Sequence, residues 1–323
     1  MNLPTIPDNQ SLKYREPKPV SKKLISKLLA QKYLFLMLLP GLIWYIIFAY
    51  IPMPGVIIAF KEYSLSKGFF NSPWAGFKYF DQFFNGFFFW ALIRNTVVLS
   101  LLKLCIGFPA PIILALLFNE LHHAKFKRTI QTISYLPHFI SWVIVLGIFF
   151  RILSTDGGIF NRLLMNFGIA EKPINFLSTS KYIWPIAVFT DLWKSVGYSS
   201  IIYLASISNV NPELYEASMI DGAGRLKQAV HITLPVIRPT IAILFIFASG
   251  GIFSSNFDQM YILGSPPVLD VAEVIDTYIY RIGLQNLQYS LSTAASLLRS
   301  VISLLLLIGT NMVVKAMGEG GIW

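Results

Sequence analysis

Charge is scarce in this chain: 13% of its 323 residues are Asp, Glu, Lys or Arg, while 55% are hydrophobic. An ordinary soluble domain carries roughly 25% charged residues, so this chain lacks the polar surface to cover soluble cores of its size. Cysteine is scarcer still. The single Cys105 excludes an intramolecular disulfide and cannot by itself build a metal site. The four histidines fall at 122, 123, 138 and 231 with no HExxH and no Cys/His zinc spacing; His122 and His123 sit beside Lys125, Lys127 and Arg128 and read as interfacial residues. No GxxxxGK[ST] phosphate loop and no GxSxG elbow is present, and the apolar runs hold no convincing Ser/His or Asp/Asp pair for intramembrane proteolysis. Catalysis by this chain alone is not expected, and no catalytic residue, metal or cofactor is assigned to it.

What the chain has is apolar length. Mean hydropathy is +0.61, and six runs are long enough to cross a hydrocarbon core about 30 Å thick, which takes about 20 helical residues. They lie at about 34–60, 92–118, 130–153, 183–206, 237–257 and 291–315. The expected fold is an all-α integral membrane protein of six transmembrane helices. A tail at 1–33 precedes the spanning region 34–315, and 316–323 follow it. The first run is too long for a signal-peptide core and follows a long tail, so it reads as a true span.

Orientation follows from Lys and Arg, which are retained on the cytoplasmic side. Lys13, Arg15, Lys18, Lys22, Lys23, Lys27, Lys32, Lys125, Lys127, Arg128, Arg225, Lys227, Arg238 and Lys315 outnumber Lys61, Lys67, Lys78, Arg151, Arg162, Lys172, Lys181 and Arg281. Both termini are therefore expected in the cytoplasm, together with a polar insert at 209–236. Net charge is +10, but half of the inside positive charge sits in the tail beside the first span, which points to anionic lipid headgroups rather than nucleic acid.

The insert is the most informative segment. Asn211 suits a helix N-cap, Pro212 the first helical position, and Glu213 and Glu216 the positive helix start, predicting a helix from Pro212 to about Ile220. Gly222 and Gly224 can take left-handed backbone and turn the chain, and a second short helix over 225–231 leads to Leu234 and Pro235. Leu214, Ala217 and Ser218 share one helical face, with Asp221 at its end. Small residues there admit a partner backbone, and Leu214 and Tyr215 supply apolar anchors. An amphipathic helix lying on lipid would carry more Lys and Arg.

The spacing of Glu216, Ala217, Ser218, Gly222, Ile232, Leu234 and Pro235 resembles the EAA signature loop of membrane subunits of binding-protein-dependent ABC importers, with Ser218 where the pattern has a second alanine. Asn95-Thr96, the YLPHFIS stretch at 135–141, DGGIFN at 156–161 and DLWKSVGY at 191–198 look like the sugar-permease group. The segment 274–297 looks like its oligosaccharide and polysaccharide branch. The resemblance implies a type I importer permease fold in the bacterial cytoplasmic membrane. It also implies a second, homologous permease subunit, two cytoplasmic ATPase subunits that bind ATP and Mg, and an extracytoplasmic solute-binding protein that delivers a carbohydrate. Glu216, Ala217, Ser218, Asp221, Gly222, Leu234 and Pro235, with Leu214 and Tyr215, would then couple ATPase closure to the pore.

Alternating access from 1:99 to 99:1 takes about 5.5 kcal/mol of differential binding, which ATPases and loaded binding protein supply by holding different states. Pro109 and Pro111 interrupt the second run. Ionisable groups inside spans usually face a cavity or a partner, which marks Asp191, Lys194 and Arg299, with Asn256, Asp258 and Gln259 near the outer end of the fifth run. Trp193, Tyr198 and Phe253 offer flat faces to sugar rings. Two other classes fit the composition. An ion-coupled secondary transporter would use Asp191 or Lys194 and need no ATP, and a membrane scaffold would show no substrate dependence.

Overall fold

The computed structural model describes residues 31–253 and 257–322. The tail at 1–30 and Asn256 therefore lie outside the described residues. Among those residues every regular element is helical, with one isolated bridge between Lys61 and Trp74. The chain divides into two units at Gly55 and Val56.

The first unit carries α1 (Lys32–Tyr45), which runs into a π turn at Ile46–Tyr50. The apolar stretch Lys32–Phe60 has mean hydropathy 2.3 over its best window. In the second unit, α2 (Phe89–Gly107) and α3 (Pro109–Asn119) follow one another with only Phe108 between them. That residue is helical and still bonds to the Leu104 carbonyl, so the prolines there do not break the run: Pro109 takes the first position of α3, where a missing N–H costs least.

The run at 130–153 is not one straight helix. It consists of α4 (Ala124–Tyr135), a 3-10 turn at Leu136–Phe139 and α5 (Trp142–Leu153), bent by 102°. Pro137 lacks the N–H that would bond to the carbonyl of Ile133, and Ile140 and Ser141 turn extended before α5 begins. Then come α6 (Ser180–Ile207), α7 (Pro212–Ile220), α8 (Arg225–Gln228), a π turn at Ala229–Thr233, α9 (Leu234–Gly250), α10 (Phe257–Leu263), α11 (Ile275–Tyr280) and α12 (Tyr289–Ala316). The fifth apolar run stops at Gly250, short of the expected 257, and α10 starts a separate helix. By length and apolarity four helices can cross a membrane, or five if the bent pair counts as one. Although α6 is 28 residues long, it is not among them. It buries Thr190, Gly197, Ser200 and Tyr203 against neighbours, so its polar groups meet protein rather than lipid.

Packing puts α6 at the centre of the second unit. Leu99 of α2, Leu146 of α5, Ile183 and Ala187 of α6 and Met260 of α10 share one buried cluster; Ala115 of α3, Tyr203 and Ile207 of α6 and Ile237 of α9 share another. The closest approach is at Gly197, where a Cβ would stand 2.0 Å from the Ser134 carbonyl oxygen of α4. Small residues at helix crossings allow such contact inside membranes. Gly197→Ala is expected to destabilise the purified protein by roughly 1–3 kcal/mol, read as a lowered unfolding midpoint in detergent. An unchanged midpoint would show that α4 and α6 separate freely.

Polar contacts sort the loops of the second unit into two ends. At one end Arg225 pairs with Glu120 at 3.5 Å and Arg238 with Glu319 at 2.8 Å, joining the α3–α4 loop to the 209–236 insert and α9 to the C-terminal segment. At the other, Ser290 Oγ donates to the Lys61 carbonyl at 2.6 Å, Asn95 Nδ2 to the Asp270 carbonyl at 2.9 Å, and Ser180 Oγ to Asp270 Oδ1 at 2.9 Å. The Glu62–Lys78 pair also lies at this end; the hydrogen bond from Lys78 holds the Glu62 carboxyl below its ordinary range, and exposed pairs of this kind add little stability.

Candidate functional site

The insert folds as a braced turn. Asn211 caps α7, its side-chain oxygen accepting from the Glu213 N–H at 3.1 Å, and Pro212 occupies the first turn as its fixed φ favours. At the far end Gly222 is left-handed, φ +76°, and donates to the Met219 carbonyl. Gly224 does not share that conformation. It is extended, with φ −74° and ψ 166°, and starts α8. The second helix does not stop at 231 either. It continues through the π turn into α9, and Leu234 N–H bonds to the Ala229 carbonyl. The wider turn carries the helix into Pro235, whose ring allows no donor of its own.

Side-chain hydrogen bonds from Thr233 and Gln228 tie α7 to this continuous helix. Tyr215 Oη lies 2.9 Å from the buried Thr233 Oγ1. Gln228 Nε2 donates to Ser218 Oγ at 2.9 Å, and that hydroxyl donates to the Tyr215 carbonyl at 2.8 Å. Tyr215 and Ser218 therefore face their own chain, while Leu214, Glu216 and Ala217 are exposed. The exposed apolar surface extends to Met219, Ile220 and Leu226, the last two 88% and 79% exposed. Their signal was available in the sequence as apolar residues inside a polar insert, but helical spacing alone did not select them. Asp221 ends α7, and Leu234 and Pro235 open α9.

Removing the Tyr215 hydroxyl deletes one side of the brace. Tyr215→Phe is expected to lower the stability of the purified protein by about 0.5–1.5 kcal/mol, the worth of one net hydrogen bond, read as its unfolding midpoint, and adding Thr233→Val should cost little more. Additive losses in that double-mutant cycle would show that the pair is not coupled.

The residues expected along the pathway separate into different environments. Asp191 and Tyr198 line a cavity of about 390 Å³ between α2, α3, α6 and α9. Lys194 does not line it. Its Nζ donates to the carbonyls of Pro137, His138 and Ile140, at 3.3 Å and 2.7 Å for the first two, and so caps the backbone opened by the 102° bend. The Tyr198 ring stacks on His138 of the same turn at 3.8 Å.

Gln259 is fully buried, donating to the Ala187 carbonyl and Thr190 Oγ1 at 2.7 Å each. Phe253 is buried beside Phe83, Tyr278 and Leu291, Trp193 packs edge-on against Phe149, Arg299 pairs with Asp276 of α11, and Asp258 is exposed in the first turn of α10. Of these only Asp191 and Tyr198 reach the cavity. A third residue of chemical interest there is Lys103 of α2, whose Nζ donates to Gln259 Oε1 at 2.6 Å. It stands inside the second apolar run, where the rule applied to Asp191 and Lys194 selects it as well.

Similarity to known proteins follows the same elements. Residues 107–319 match the model of the family described as binding-protein-dependent transport system inner membrane component. The chain belongs to this family. The permease is 45% identical over 302 residues to the polygalacturonan/rhamnogalacturonan transport system permease protein YteP of Bacillus subtilis (strain 168), covering 94% of each chain. It is 44% identical to protein LplB of the same organism, over 90% of this chain and 91% of that one. Among solved structures it resembles, at 39% identity and TM-score 0.83, a chain of a bacterial ABC transporter involved in the import of the acidic polysaccharide alginate, covering 91% of this chain and 99% of that one. A chain of the bacterial alginate transporter in complex with alginate pentasaccharide-bound periplasmic protein gives a TM-score of 0.85 at 39% identity, covering 93% and 100%.

Several motifs of the permease have direct physical roles in this fold. Asn95 and Thr96 hold the 270–275 segment onto α2 through the Asp270 and Glu273 carbonyls and the Ile275 N–H. Asn161 ties Ser154 to Ile174, with bonds of 2.9–3.0 Å to the Ser154 carbonyl and to both backbone groups of Ile174.

Proposed function

We propose that this permease is one of two homologous membrane subunits of an ATP-driven importer in the bacterial cytoplasmic membrane. It moves a carbohydrate, an oligosaccharide or polysaccharide fragment, inward by alternating access. Six spans are assigned, the bent α4–α5 pair serving as the third and α6 as the fourth, with both termini and the insert in the cytoplasm. The loop at 209–236 docks a cytoplasmic ATPase subunit, which binds ATP and Mg, and an extracytoplasmic solute-binding protein delivers the sugar at the opposite end. The observation that carries this reading is the insert itself: a turn braced to the base of α9 that presents Leu214, Met219, Ile220 and Leu226 outward. A rigid pedestal with an apolar tip suits helix-in-groove docking, and its direct continuation into α9 lets a push at the tip reach the pore. The substrate class draws on the polysaccharide transport systems of its relatives.

The test is purification of the permease pair with its ATPase subunits. ATP hydrolysis should rise when a sugar-loaded binding protein is added, and uptake should stop when the ATPase phosphate loops are inactivated. Uptake that persists after that inactivation would rule this reading out.

A further inference from the structure

The helix α12 ends in a closed turn. Gly318 is left-handed, φ +83°; its N–H bonds to the Lys315 carbonyl at 3.0 Å and the Glu319 N–H to the Val314 carbonyl at 3.3 Å, the paired bonds of a Schellman cap. The residues that follow fold back along the helix. Ile322 N–H donates at 2.9 Å to Oδ1 of Asn311, an amide only 2% exposed although it lies in a long apolar helix. Gly321 permits the return, since a Cβ there would stand 2.6 Å from that same oxygen.

This hook holds Glu319 against α9. Arg238 Nε lies 2.8 Å from Glu319 Oε1, and Arg238 stands about one turn beyond Pro235, on the helix that continues directly from the insert. Farther along, α9 and α12 share apolar contacts, with Ala242 and Ile246 clustered with Val314 and Leu307. Such contacts are non-directional and leave the register of two helices free. A charge-assisted pair at hydrogen-bond distance fixes it.

α12 also reaches the opposite end of the unit. With 28 residues it is about 42 Å long, and at its far end Ser290 Oγ donates to the Lys61 carbonyl while Arg299 pairs with Asp276 of α11. We propose that Arg238 and Glu319 form a staple that passes displacement of the insert from α9 to α12, and through α12 to the Lys61 loop and α11. They are positioning residues. The inference rests on the importer reading above, in which the insert receives ATPase closure and the binding protein delivers sugar at the opposite end.

The experiment uses the complete transporter in proteoliposomes, with both permease subunits, the ATPase subunits and a binding protein loaded with an oligogalacturonate it retains. Sugar uptake and ATP hydrolysis are read in the same preparation. Arg238→Glu and Glu319→Arg should each raise the ATP hydrolysed per sugar imported by about 5-fold, through slower uptake, while hydrolysis stimulated by the loaded binding protein stays within about 2-fold of wild type. Combining Arg238→Glu with Glu319→Arg rebuilds the pair with its charges exchanged and should return the ratio to within about 2-fold of wild type. Glu319→Arg adds positive charge on the insert's side of the chain, so it remains a test if Arg238→Glu inserts poorly. Parallel loss of uptake and hydrolysis would assign the pair to stability or assembly and overturn the proposal. An unchanged ratio in the single variants would overturn it too, as would a double variant no better than either single one. Wild type and variants that are equally well coupled refute the staple and leave the importer standing; a wild type whose ATP hydrolysis drives no uptake of any oligosaccharide its binding protein retains removes the importer reading and this inference together.

Discussion

Gly222→Pro is expected to abolish transport while the protein still inserts. Gly222 sits at φ +76° and donates its N–H to the Met219 carbonyl. Proline fixes φ near −65° and has no N–H, so the turn between α7 and α8 cannot form. Such a mismatch costs about 3 kcal/mol or more, which converts to roughly 100-fold in coupling. No span is touched, and a Cβ at this position meets nothing within 4 Å, so the effect acts through the turn and not through packing. Glu216→Lys reaches the same end by reversing a charge on the exposed side of α7. ATP-driven uptake in proteoliposomes measures both variants, with basal ATPase activity as the control for assembly. Wild-type uptake in either would count heavily against a coupling role for the insert.

Lys194→Met is expected to lose about 3–5 kcal/mol of stability, the largest single effect foreseen in the spanning region. The substitution keeps the length of the side chain and removes the donors on the carbonyls of Pro137, His138 and Ile140. Each polar group left unpaired away from water costs about 1–3 kcal/mol, and the three carbonyls are partly buried. The measurement is the unfolding midpoint of the purified complex, with Lys194→Arg expected to recover part of the loss. A Lys194→Met protein with an unchanged midpoint and only a raised KM for sugar would return Lys194 to the transport pathway.

Lys194 also shows how far the sequence could be read. Its presence in an apolar run marked it as costly and therefore purposeful. Which purpose it serves depended on the 135–141 stretch, more than fifty residues earlier in the chain. The two motifs YLPHFIS and DLWKSVGY are halves of one joint: the first opens the backbone, and the second supplies the lysine that closes it and, at Gly197, the room for α4 to approach. Neither half reveals this by composition. Phe253 and Gln259 follow the same logic. Polarity and aromaticity near a membrane surface suit sugar contact and tertiary packing equally, and here both side chains are buried among their neighbours. The insert was far more legible, because its helix is set by local rules: an N-cap oxygen, a proline at the first position and a glycine at the turn act within a few residues of one another.

Sequence alone determined that the chain is rich in apolar residues and poor in charge, and that a capped, glycine-ended helix lies between two of its apolar runs. These properties depend on composition and on contacts between near neighbours. Tertiary structure decided that Ser218 and Tyr215 brace the insert, that the third run bends and is capped from α6, and that residues of α2, α3, α6 and α9 line one cavity. Those outcomes depend on which helices lie side by side, and hydrogen bonds between residues far apart in the chain form only after the helices have packed.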